Sequence, residues 1–158
     1  MNKKDLTANI NELLLQLDQS MEWLEHSFQL CKEIKKDPPN NYTIEDFDKF
    51  ETLTSRFART ADILIQKIYR SIDLFEMETP GTMIDIVNRA HKRGIINSPD
   101  DIRNIKDLRN DIAHEYMQEQ LIDLFNEVVE LTPLLMVYVE TARKYCAKML
   151  VEVSTKPY

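Results

Sequence analysis

Leu6–Cys31, LTANINELLLQLDQSMEWLEHSFQLC, is the stretch that decides the fold. Its apolar residues Leu6, Ile10, Leu13, Leu17, Met21, Leu24, Phe28 and Cys31 recur at steps of three and four, which makes them the seam of one long amphipathic helix. A helix from about Asp5 to Lys36 would span roughly 48 Å. DPPNNYT, from Asp37 to Thr43, stops it, because two prolines and two asparagines turn easily and cannot continue a helix.

Beyond that turn the pattern resumes. Thr43 with Asp46 three residues on is a capping signal, and Ile44, Phe47, Phe50, Leu53, Phe57, Ala61, Leu64, Ile68, Ile72 and Phe75 form a second long stripe. After METPGT, where Pro80 can occupy a first helical turn, Met83 to Arg93 reads as a short helix ended by Gly94. Ser98, Pro99, Asp100 and Asp101 supply a cap, an N1 proline and acids for the start of a fourth helix. The last segment, Gln118 to Val151, keeps helical spacing, and Pro133 is expected to kink it. The expected fold is an all-α up-and-down bundle of four to five helices forming one domain over residues 1–158.

The totals agree with this reading. Two glycines in 158 residues starve the chain of hairpin turns, and 43% apolar residues can fill a core. Cys31 and Cys146 sit in amphipathic stretches without metal-binding or disulfide spacing, which fits a reduced, cytoplasmic compartment. No apolar run is long enough for a secretory leader or a membrane span, so no membrane partner is expected. His26 and His91 lack ligand-type neighbours at helical spacing, so no metal and no cofactor is expected. Trp23 is expected at the edge of the core or in a dimer interface, and Phe47, Phe50 and Phe57 within the core.

A net charge of −7 argues against a broad polyanion-coating surface, but the charge is uneven. Arg89, Lys92, Arg93, Arg103, Lys106 and Arg109 face only Asp100, Asp101 and Asp107 in their stretch, so 6 − 3 leaves +3 there and −10 elsewhere. A phosphate site belongs in this stretch, with Arg103 and Lys106 as candidate substrate-binding residues.

The fourth helix ends in LRNDIAHEY, Leu108 to Tyr116. Ile102, Ile105, Leu108 and Ile112 form its apolar stripe, and Arg103, Asp107, Asn110 and His114 a polar one. A wet helix face with an Arg103–Asp107 pair would explain the polar stripe without any chemistry. On an unbroken helix Arg109 and His114 stand about 140° apart, so joint action requires the helix to bend or end near His114, or a second chain to contribute. Cleavage of RNA through its 2′-hydroxyl needs a base, an acid and a cation on the phosphate, and no metal in principle. His114 can serve as base or acid, Arg109 can clamp a phosphate with its planar fork, and Asn110 can orient the imidazole or bind the sugar.

Arg109, four residues, His114, one residue and Tyr116 form the R-x4-H-x-Y pattern, with Asn110 in the polar position after the arginine. In this pattern, and in its helical frame, the chain resembles the HEPN domain family, most closely HEPN toxins paired with an MNT-type nucleotidyltransferase antitoxin. The resemblance implies a homodimeric, metal-independent endoribonuclease with Arg109, Asn110 and His114 at a site shared between protomers. It further implies an antitoxin partner that transfers AMP to Tyr116, where a bulky anion would exclude RNA. A non-catalytic accessory module that presents substrate to a nucleotidyltransferase is the alternative, and a plain helical scaffold a third.

Overall fold

The computed structural model describes residues 1–34, 41–114 and 117–155. All regular secondary structure among them is helical: α1 (Lys3–Cys31), α2 (Ile44–Asp62), a π-helical turn (Ile63–Ile68), α3 (Tyr69–Phe75), α4 (Met83–Lys92), α5 (Pro99–Ile112) and α6 (Gln118–Ser154). With α2, the π turn and α3 continuous, five rods surround one hydrophobic cluster. The seam of α1 is buried at Leu6, Ile10, Leu13, Leu17, Leu24 and Cys31, as its spacing predicts. α1 stops at Cys31 and not at Lys36; its 29 residues span about 44 Å.

Local chemistry sets the helix starts. Thr43 and Asp46 form the expected reciprocal capping box on α2. Ser98 accepts from the Asp100 N–H in front of Pro99 at the start of α5. Pro80 does not open α4: Thr82 caps it instead, in a second capping box with Asp85. That bonding holds the Asp85 carboxyl below its usual range, first through the Thr82 backbone and then through its hydroxyl. α6 runs on through Pro133, with the Thr132 hydroxyl donating to the Val128 carbonyl one turn back.

The π turn accommodates three consecutive buried residues, Ile63, Leu64 and Ile65. In an α-helix three successive side chains fan across about 200°, so burying all three, as α3 also does at Ser71, Ile72 and Asp73, takes neighbours on more than one side. The wider turn, marked by the Tyr69 N–H bonded to the Leu64 carbonyl five residues back, narrows that fan. Polar ties then fix the rods to one another. Ser20 and Thr60 hydroxyls lie 2.6 Å apart between α1 and α2. Buried Asp73 of α3 takes Arg89 at 3.0 Å and Arg93 at 2.5 Å from the end of α4. The Tyr145 hydroxyl of α6 donates to Glu76, which also pairs with Arg93 at 2.7 Å.

α5 is the rod on which the site depends, and it is held at three levels. Ile102, Ile105 and Leu108 are buried against the core, with Ile112 half-buried behind them. At its start the buried Tyr138 hydroxyl of α6 donates to Asp101 and accepts from the Asn97 N–H at 3.3 Å. Burial first, and that bond second, push the Tyr138 pKa up. At its far end Arg109 is tied to the last residue of α2.

Candidate functional site

The last turn of α5 tightens and stops. The Ala113 N–H bonds the Asn110 carbonyl and the His114 N–H the Asp111 carbonyl, both at 3.1 Å, so each bond reaches three residues back where a continuing helix would reach four. His114 therefore lies two residues beyond the helix end and is exposed. The 140° separation expected of an unbroken helix does not apply to Arg109 and His114. Asn110 is exposed on the last turn, and Arg109 is partly exposed. Tyr116 lies outside the described residues.

Arg109 has a partner that the sequence did not indicate. Its Nε donates to Asp62 Oδ1 at 2.7 Å and its Nη2 to Oδ2 at 2.9 Å, a side-on bidentate pair with side chains 33% and 39% exposed. These bonds push the arginine pKa further above its ordinary value. The carboxylate that holds Arg109 lies 47 residues away in sequence. Such a distance leaves no periodic signal.

The regular polar stripe divides in three dimensions. Asp107 and Asp111 line a groove of about 280 Å³ between α5 and α6, facing Glu127 and Glu130. Arg103 and Lys106 instead edge a smaller cleft of about 120 Å³ between α4 and α5, floored by Met83, Val87 and Ile102. Arg103 pairs with Asp100 at 3.2 Å and not with Asp107. Arg103, Lys106 and Arg109 follow one another at three-residue steps, a slanted row running toward the end of α5. The two flanks of α5 thus differ in sign, with Asp107, Asp111, Glu127 and Glu130 on the α6 side and Arg103 and Lys106 on the α4 side.

The basic stretch as a whole offers less than its composition suggested. Arg89 and Arg93 are bound to Asp73, Glu76 and Glu78 at the junction of α3 and α4, where they staple the fold. Among the described residues neither Lys92 nor Lys106 has a hydrogen-bond or ion-pair partner; Lys92 is exposed at the end of α4, and half-buried Lys106 stands on α5 beside the exposed Arg103. Trp23 edges the bundle as expected, 42% exposed, with the Arg56 guanidinium 5.7 Å from its ring centre. Phe50 and Phe57 are buried, and Phe47 packs half-buried against the core, its ring 5.7 Å from that of Phe125. Cys31 and Cys146 are buried free thiols. Among the described residues no helix is long and apolar enough to cross a membrane, and no group of three His, Cys, Asp or Glu side chains could hold a metal ion. Comparison with family models, with curated proteins and with solved structures gives no match.

Proposed function

We propose that the chain is a HEPN-type toxin: a homodimeric, metal-independent endoribonuclease whose composite site takes Arg109, Asn110 and His114 from each protomer. The observation that carries this reading is the end of α5 at Ile112, which releases His114 from the helix while Arg109 stays fixed one turn behind it. Arg109 offers the phosphate a planar cation, His114 exchanges the proton of the 2′-hydroxyl or of the leaving 5′-oxygen, and a second copy supplies the other proton step. Arg103 and Lys106 extend the contact along the substrate backbone. The antitoxin is an MNT-type nucleotidyltransferase that adds AMP to Tyr116.

One observation favours a second reading. The Asp62 carboxylate takes two of the five N–H donors of Arg109 and offsets its charge, as it would in an accessory module that uses the arginine only to hold α5. Expression of the wild type beside Arg109→Ala and His114→Ala separates the two. Growth arrest, with RNA cut in the presence of EDTA and leaving 2′,3′-cyclic phosphate ends, is expected for the wild type alone. A folded, dimeric wild type without cleavage would establish the accessory role. Co-expression with the nucleotidyltransferase should add AMP to Tyr116, detectable by mass spectrometry, and Tyr116→Phe should escape neutralisation.

A further inference from the structure

We propose that Asp62 is the positioning residue of the site: it fixes the plane of the Arg109 guanidinium so that the donors left over meet the scissile phosphate. The inference rests on the cleavage reading above. Of five N–H donors the carboxylate takes one on Nε and one on Nη2, and 5 − 2 leaves three, two of them on Nη1. The side-on grip therefore leaves the end-on edge of the fork free for an anion. A guanidinium on a flexible stem sweeps a wide volume, and holding it in one plane is the kind of preorganisation on which rate depends.

Two further features fit this role better than a purely structural one. The pair is about one-third exposed on both sides, where an ion pair adds little to stability, and α5 already has Ile102, Ile105 and Leu108 in the core. Asp62 is also the last residue before the π turn. The turn changes helical register immediately after it, so Asp62 stands at the point where α2 passes from regular to widened geometry, a location often reserved for function.

The test uses the purified full-length chain, a labelled single-stranded oligoribonucleotide with EDTA, the same oligonucleotide in all-deoxy form as an uncleavable ligand, and thermal melting. Asp62→Ala is expected to remain folded and to lose about 100-fold in kcat, the scale of a misplaced catalytic group. Its KM and its affinity for the deoxy strand should be unchanged or tighter, because a carboxylate has gone from a cationic site. Asp62→Asn, isosteric and with one acceptor left, covers the case in which alanine does not fold, and should show a smaller loss in kcat. Asp62→Glu should recover part of the rate. Unchanged kcat with a lowered Tm would overturn the proposal in favour of a structural pair, and increased kcat would overturn it in favour of a restraint on Arg109. If the wild type is as inert as His114→Ala, the cleavage reading fails and takes this inference with it. If the wild type is active and only the Asp62 variants match it, the inference alone fails.

Discussion

Gly94 and Met77 adopt the left-handed backbone region, with φ of 75° and 61°, and they do the same job. In each case the helix closes with a pair of bonds: the Ile95 N–H to the Ala90 carbonyl with the Gly94 N–H to His91, and the Glu78 N–H to Asp73 with the Met77 N–H to Leu74. Glycine enters this conformation freely, whereas methionine carries a Cβ that crowds its own carbonyl. Met77→Gly should therefore stabilise the chain by about 1 kcal/mol, and Gly94→Ala should destabilise it by about as much, both read from urea midpoints. No other atom lies within 4 Å of a Cβ built on Gly94, so the second cost is conformational alone. The buried thiols give a second residue-level expectation. Burial pushes Cys31 up to about 11 and Cys146 to about 12, so at pH 8 both are protonated and shielded. A disulfide reagent should leave the native protein unmodified while labelling the urea-unfolded chain, and rapid labelling of native protein would contradict this. Burial first, and the bond to Glu76 second, raise Tyr145 from 10.0 to about 12. A folded pKa raised above the unfolded one gives stability that is complete below pH 10 and lost as the pH climbs through 12. Tyr145→Phe should accordingly be less stable than wild type at pH 8, with the gap narrowing by pH 12.

Among the elements, α5 shows how far local signals reach. Its start was legible: Ser98 before Pro99 and two acids is a cap that depends on nothing distant. Ser98→Ala should cost about 1 kcal/mol, measurable by thermal melting, and should loosen the rod that carries Arg109. Its end was not legible, because Asp111 to Tyr116 contains neither glycine nor proline and continues a helical polar pattern. The stop at Ile112 leaves the last apolar member of the stripe half-buried. The π turn was hidden for a related reason. Of Ile63, Leu64 and Ile65 only Leu64 belongs to the apolar stripe, and nothing in its two neighbours marks a change of helical register.

At the scale of the whole molecule, one apolar cluster joins all five rods, so core truncations should act globally. Leu17→Ala, at a fully buried position on the α1 seam, should cost about 2–5 kcal/mol and melt the chain in a single transition. The sequence by itself determined the helical class of the fold and the buried faces of α1, α5 and, apart from the exposed Ile44 at its start, α2, because apolar spacing and capping are local properties written within one or two turns. It also named the residues of the candidate site. Only the tertiary structure decided what those residues face. Asp62 is brought to Arg109 across 47 residues, Arg89 and Arg93 are withdrawn into an ion-pair network, and Asp107 is sorted away from Arg103 onto the opposite flank of α5. The physical reason is one of range: burial is set by the periodicity of a single helix, whereas the partner of a charge is set by which helix packs beside it.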